Sequence, residues 1–392
     1  MEPFDALIIG AGFAGAVCAR ALAEAGRRVL LLERRDHIGG NAYDCLDSSG
    51  VLIHKYGPHI FHTNDARVYD FLSRFTRWRN YQHQVVANVP DGEIRQEFPV
   101  PFNLCSLEKC FSPSDAARLE EKLLTCYGPE RKVTILELRQ NPDPEIAGLA
   151  DFVYDHVFVR YTMKQWGTTP EEIDPNTTAR VPVFLSRDCR YFQDTYQGIP
   201  EQGYTRMFQR MLDHPGITLM LNTDANSVLR FENGEIFYQG VPFRGTVVYT
   251  GAVDELFGWV YGPLPYRTLD FQFETHRADV FQSHATVNYT MDRPYTRITE
   301  FKLLTGQVLP GVTSTVKEFS KAYTGAEGEI PYYAIISPEN TALYQKYAAL
   351  ASGCKNLHLL GRLAQYRYYN MDAIAAQALD LADHLLKEKE NG

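Results

Sequence analysis

Apolar residues run from Phe4 to Ile9 and stop at Gly10-Ala-Gly-Phe-Ala-Gly15. An Ala-rich stretch with helical spacing continues to Ala25, and Arg28 to Leu32 is a second apolar run closed by Glu33. Short bounded runs on either side of an Ala-rich segment predict strand, turn, helix, strand. Asp65 to Phe75 has helical character, and so has Ser112 to Trp166, where Ala116, Leu119, Leu123, Leu124, Phe152, Val153, Val157, Phe158 and Tyr161 recur at helical intervals. Residues 177–345 are richer in β-branched and aromatic positions separated by turns, as at Val247 to Thr250, Ala285 to Tyr289 and Thr313 to Phe319. That pattern predicts a mainly antiparallel sheet. The chain then returns to an apolar strand, Leu357 to Leu360, and an Ala-rich helix from Asp372, an ending that resembles the opening unit and is expected to rejoin its sheet. No internal repeat or low-complexity segment interrupts this order.

The opening unit carries chemistry as well as structure. A strand, a G-x-G-x-x-G turn, a helix, a second strand and an acid about 20 residues on form the βαβ arrangement that holds a dinucleotide. Gly10 permits the tight turn, Gly12 lets backbone approach a pyrophosphate, and Gly15 lets helix and strand pack closely. The helix N-terminus turns amides and the positive dipole end toward the phosphates. Glu33 is placed to accept hydrogen bonds from a ribose diol. The loop after it, with Gly39, Gly40 and Asn41, suits close contact with a cofactor, although a simple turn uses the same residues. The rigid turn from Tyr56 to Thr63 carries His59 and His62.

Length and composition narrow the class. With 392 residues, 45% apolar and 22% charged, the chain predicts two or three globular domains. No stretch reaches the roughly 18 apolar residues of a membrane span. Acidic Glu2 and Asp5, in place of basic residues, stand at the start of the apolar run, so a buried strand is expected there and not a signal peptide. The net charge of −9 disfavours general affinity for nucleic acid or anionic lipid. Seven cysteines without a C-x-x-C pair suggest a reduced, cytoplasmic protein without a metal cluster. The load of 24 Tyr and 22 Phe suits a cleft for sugars and nucleobases.

The longer motifs are more specific. Tyr161-Thr-Met-Lys-Gln-Trp166-Gly167, Tyr266-Arg267-Thr-Leu-Asp270-Phe271, Pro294-Tyr295-Thr-Arg297-Ile-Thr-Glu300, Pro331-Tyr332-Tyr333 and Gly361-Arg362-Leu363, followed by Tyr366-Arg367-Tyr368, occur in this order. Together they resemble the bacterial UDP-galactopyranose mutases, from residue 4 to about residue 380. The resemblance implies an α/β fold: a discontinuous Rossmann-like FAD-binding domain with an inserted helical bundle and a twisted antiparallel sheet. Residues 1–80, 200–240 and 348–392 fall to the FAD-binding domain, 100–170 to the helical domain, and 81–99, 171–199 and 241–347 to the sheet. It also implies interconversion of UDP-galactopyranose and UDP-galactofuranose without net redox, through a covalent adduct of reduced flavin with the anomeric carbon, in a homodimer or larger homo-oligomer.

Site residues follow from the same resemblance. Arg180 and Arg297 match the main substrate-phosphate arginines, where a planar guanidinium fork meets a diphosphate. Tyr191, Tyr333 and Tyr368 match phosphate-contacting tyrosines, Tyr161 the residue stacked on uracil, and Trp166 a mobile loop near the sugar. His59 and His62 match histidines by the flavin, where a hydrogen-bond donor would support the ring edge. Arg267 and Arg362 fall near the cofactor, as do Phe13, Ala14, Arg34, Ile60, Tyr369, Met371 and Asp372. Asn288 falls to the substrate. Gly167 to Thr178 suits a lid. There are two departures: Asn370 stands where many members carry Asp, and His83 where Asn is common. Asn370 removes a negative charge beside the diphosphate, and His83 falls near the sugar and flavin, so UDP-N-acetylgalactosamine remains an open substrate. An FAD oxidoreductase of the amine-oxidase type, which shares the opening βαβ unit and the closing helix, is the open rival class.

Overall fold

The computed structural model describes residues 4–167 and 182–390. Five parallel strands form the first sheet, in the order Ile217–Met220, Val29–Leu32, Ala6–Ile9, Thr246–Tyr249, Leu357–Leu359. The two strands read from the opening of the chain are buried along their whole length, as parallel strands covered on both faces must be. Ala6, Ile8, Val29 and Leu31 face the Phe13–Glu24, Tyr204–Leu212 and Met371–Glu390 helices, while Leu7, Ile9, Leu30 and Leu32 face the opposite core around Leu229, Val247 and Leu357. The closing strand and helix do return to the opening unit.

One expectation is corrected. Val247 to Thr250, read above as part of the antiparallel sheet, contributes Thr246–Tyr249 to the centre of the parallel one, so the sheet assigned to 241–347 loses its first residues. A four-residue apolar strand looks alike in either setting, and only its neighbours decide.

The second sheet has seven strands, in the order Tyr333–Ala334, Tyr266–His276, Thr313–Ala322, Arg297–Glu300, Thr286–Asn288, Val85–Asp91, Ile94–Val100. Every pairing is antiparallel except that of Thr286–Asn288 with Val85–Asp91. Between these sheets in sequence lie the helices Leu104–Cys110, Pro113–Tyr127, Ile135–Arg139 and Pro144–Val153. Leu119, Leu123, Ile146, Leu149 and Val153 bury their shared core, matching the helical periodicity. A π-helical turn at Tyr154–Phe158 then leads into the Val159–Trp166 helix. One extra residue per turn rotates everything downstream about the axis, and π turns concentrate at functional positions.

Candidate active site

The opening βαβ unit forms one wall of a cleft. Gly10 has φ +100°, and a Cβ there would lie 2.1 Å from Thr250 Oγ1. A Cβ on Gly15 would lie 1.9 Å from the Gly10 carbonyl oxygen, so Gly15 serves packing and does not line the cleft. Gly12 and Gly40 approach so closely that a Cβ on Gly40 would sit 2.9 Å from Gly12 Cα, and Gly40 has φ +56°. The Phe13–Glu24 helix starts at Gly12 with no side-chain cap, leaving first-turn amides for an anion. Glu33 accepts from Ala11 N and Arg35 N, both at 2.9 Å, which fixes its carboxylate at the rim with lone pairs to spare. Phe13, Ala14, Arg34, Asn41, His59, Arg362, Tyr369 and Met371 also line this cleft. Arg362 donates to the Tyr369 carbonyl at 2.8 and 2.6 Å. Ile60 and Asp372 lie outside the lining, Asp372 in the first turn of the last helix.

Several lining residues went unassigned in the sequence. Glu255 pairs with the expected Arg34 at 2.9 Å, and Thr223, Asp224 and Thr250 line the same cleft. Arg35 lies over the Tyr56 ring and donates to Asn41 Oδ1 at 2.9 Å, yet its Nη1 is buried without a partner. An orphaned buried cationic donor on a cleft wall fits the anionic portion of a dinucleotide. Its position two residues past Glu33 was the available signal.

The second sheet adjoins this cleft through the turn that carries Gly57 and His59. Ala87, Asn288, Arg297, Glu318 and Phe271 stand side by side on five adjacent strands, so their side chains share one face. Arg297 Nε meets Glu318 Oε1 at 2.7 Å, with Glu318 only 2% exposed. Burial works against the Arg297 charge, but the Glu318 carboxylate holds its pKa above the usual arginine value. Asn288 Oδ1 is buried without a partner. Gly57 (φ +86°) covers the end of this row: a Cβ there would lie 3.0 Å from the Phe271 ring and 3.7 Å from Glu318 Oε1. The His59 turn thereby joins the row to the cleft beside the parallel sheet.

Aromatic residues surround Arg297. Tyr161, Tyr191 and Tyr333 feel its charge, burial raising the pKa of each phenol. Tyr333 lies 6.2 Å from Trp166 and 6.2 Å from Tyr368, and Arg362 sits 4.6 Å over the Tyr368 ring. Tyr368 is 61% exposed and Asn370 is exposed beside it, at the mouth. Arg180 and the Gly167 to Thr178 lid, apart from Gly167 itself, lie outside the described residues.

Two expectations change. Arg267, expected near the cofactor, does not line the cleft beside the parallel sheet: sharing its strand face with Phe271 by alternation, it donates to the carbonyls of Gln165 (3.1 Å) and Lys164 (3.3 Å) and to Ser320 Oγ (3.2 Å). The last-turn carbonyls of the Val159–Trp166 helix have no partners within the helix, and a buried guanidinium satisfies them. Lys164 locks the same helix from its other side, donating to the carbonyls of Tyr289, Arg293 (3.1 Å) and Tyr295 (3.4 Å), while burial pushes its pKa down to about 8. His59, expected as a donor, is an acceptor toward the cleft. Its Nδ1 lies 2.9 Å from the Gly57 carbonyl, which only accepts, so Nδ1 carries the hydrogen. Burial, with His54 and the nearby arginines, pushes its pKa down to about 3, which keeps the ring neutral with Nε2 unprotonated. His83 is likewise pushed down to about 3 by burial and by Arg297, and its Nδ1 lies 3.1 Å from Tyr81 Oη. His62 stacks on Phe192, which also neighbours His83, and pairs with Asp194.

The family profile described as UDP-galactopyranose mutase matches residues 156–368, and that of an NAD(P)-binding Rossmann-like domain matches residues 8–75. The chain is 36% identical to a UDP-galactopyranose mutase of Mycoplasma pneumoniae, over 98% of this chain and 96% of that one. It is 34% identical to a dTDP-fucopyranose mutase of Escherichia coli, over 98% and 99%. Among solved structures, a reduced UDP-galactopyranose mutase superposes with TM-score 0.66 at 16% identity, over 99% of this chain and 94% of that one. A putrescine oxidase shares the fold at TM-score 0.55 and 13% identity, over 98% and 99%. No described helix is long and apolar enough to cross a membrane. The chain belongs to the UDP-galactopyranose mutase family, a family of isomerases.

Proposed function

We propose that this chain interconverts UDP-galactopyranose and UDP-galactofuranose on FAD held in the cleft beside the parallel sheet. The observation that carries the reading is the meeting of two walls at His59: a glycine-floored dinucleotide cleft on one side, and on the other a sheet row presenting Arg297 and the orphaned Asn288 amide. An amine oxidase has no need of a diphosphate site, so the row favours a nucleotide-sugar isomerase. Bound and reduced, the flavin supplies covalent chemistry at the anomeric carbon.

The chain's own residues bind and orient. Arg297, held by Glu318, meets the diphosphate with charge-assisted hydrogen bonds, with Arg180 as the second arginine, and this favours departure of UDP. Tyr191, Tyr333 and Tyr368 add hydroxyl donors, and Tyr161 stacks on the base. Asn288 Oδ1 takes a sugar hydroxyl, the donor its burial lacks. His59 Nε2 offers an acceptor to the flavin. Arg34, Arg35 and the uncapped helix amides hold the dinucleotide.

The Escherichia coli relative acts on dTDP-fucopyranose, and its similarity is close to that of the UDP-galactose relatives. A deoxythymidine sugar nucleotide is therefore the second reading. Anaerobic incubation with UDP-galactofuranose and, separately, dTDP-fucofuranose, with and without dithionite, tests both by chromatography. Conversion of the UDP sugar only when the flavin is reduced, without stoichiometric loss of reductant, is the expected result. Conversion of the dTDP sugar alone would replace the substrate, and conversion of neither would overturn the assignment.

A further inference from the structure

We propose that Asp194 is a positioning residue that, with Asn64, fixes His62 as its Nδ1–H tautomer and leaves Nε2 as the free acceptor. His62 Nδ1 lies 3.0 Å from Asp194 Oδ2, and Asn64 Nδ2 lies 2.9 Å from Asp194 Oδ1. The amide orientation of Asn64 is not a free choice. Its Oδ1 takes the Thr195 backbone N–H at 2.9 Å and the Thr195 hydroxyl at 3.0 Å, and a backbone N–H can only donate. The Asn64 NH₂ is thereby forced toward Asp194. One carboxylate accepts on both oxygens, from Asn64 and from His62, and its geometry holds the imidazole hydrogen at Nδ1.

The ring itself is immobilised. His62 lies flat on Phe192, centroids 3.6 Å apart and planes at 13°, and its strand residue pairs with Gln197. Among the described residues Nε2 has no hydrogen-bond partner. Phe192 is shared with His83, whose own neighbours are Tyr191 and Arg297, so the held imidazole borders the polar cluster around the diphosphate arginine. This arrangement of carboxylate, imidazole and outward lone pair is the one that prepares a histidine to take and return a proton without turning.

The inference deepens the mutase reading and rests on it for its effect on turnover. Ring contraction moves protons: the ring oxygen gains one as its bond to the anomeric carbon breaks, and the closing hydroxyl loses one as its oxygen forms that bond. Nε2, having taken a proton from solvent, gives it to the ring oxygen and then takes the one the closing hydroxyl loses, while Nδ1–H stays hydrogen-bonded to Asp194. Neither the sugar nor the histidine therefore gains or loses a proton over the turnover.

Asp194→Asn supplies the test, because an amide cannot accept on both sides, and one of two converging donors is left facing an NH₂. In the ¹⁵N-histidine-labelled flavoprotein, long-range ¹H–¹⁵N spectra, with His62 assigned through H62N, are expected to show Nδ1–H for the neutral wild-type ring and its loss in D194N. Turnover is expected to fall at least about tenfold with KM changed less than about twofold and flavin content intact. N64A is expected to show a smaller loss in the same direction, and D194N to add nothing to H62N. Persistence of Nδ1–H in D194N, or an equal D194N effect in the H62N background, overturns the proposal. A wild-type protein without turnover would sink the mutase reading and leave the tautomer to be decided by the spectra alone.

Discussion

The cleft beside the parallel sheet takes its floor from backbone, at Gly10, Gly12 and Gly40, within one stretch of the opening unit. The row on the seven-stranded sheet is made of side chains, with Asn288, Arg297 and Glu318 on three neighbouring strands aligned by register. A backbone cradle depends on the absence of Cβ atoms and responds to any added volume. A side-chain row depends on charge pairing and responds to any lost partner. The two halves of the site should therefore fail in different ways.

The sharpest break is Gly40→Val. A β-branched residue at φ +56° is strained, and its Cβ would press on Gly12. The variant is expected to purify without flavin, read as loss of visible absorbance near the protein band, with no remedy from added cofactor. Retained flavin would mean that the cradle does not need the glycine. Arg297→Ala probes the other wall. Losing a charge-assisted contact of about 1.5–3 kcal/mol should weaken UDP binding and turnover by about ten- to a hundredfold with flavin still bound. The same change strands the buried Glu318 carboxylate, so stability should fall by about 3–5 kcal/mol in urea unfolding.

Acid separates the walls more gently. His54 is pushed down to about 4 and His59 and His83 to about 3, burial being the first cause in each. Their folded pKa values lie below the unfolded value of about 6.5, so the unfolded chain binds protons first as pH falls. Stability is full above the unfolded pKa and declines below it, by about 1.4 kcal/mol per histidine per pH unit, down to the folded values. Thermal unfolding between neutral pH and pH about 4.5 should show this slope, and His83→Asn should make it shallower by one histidine's share. An unchanged slope would mean that His83 titrates normally in the native state. The smallest effect is expected from Arg267→Ala: about 1–3 kcal/mol of stability, for the helix-end carbonyls left unpaired, with flavin content unchanged. Loss of flavin instead would return Arg267 to the cofactor side.

Legibility along the chain followed the same division. The βαβ turn was readable because glycine positions, strand lengths and the acid all lie within local spacing, and the helical unit because its apolar period persists over many turns. Val247 to Thr250 was misplaced because four apolar residues carry no record of which sheet they join. Glu318 was missed although it follows Val316 at an inward position of a buried strand; an acid there signals a partner but does not name it. Arg267 could be recognised in its motif but not aimed, since its direction depends on carbonyls at the end of a helix a hundred residues earlier in the chain.

The sequence by itself determined the dinucleotide turn, the helical insertion, the return of the last strand and helix, and the family motifs, because each rests on interactions between residues close in the chain or on identity at matched positions. Only the tertiary structure decided that Asn288, Arg297 and Glu318 form one row, that His59 faces the cleft as an acceptor, and that Asp194 reaches His62. Those depend on strand register and on which donors and acceptors remain after the backbone has satisfied its own, and neither is a property of local sequence.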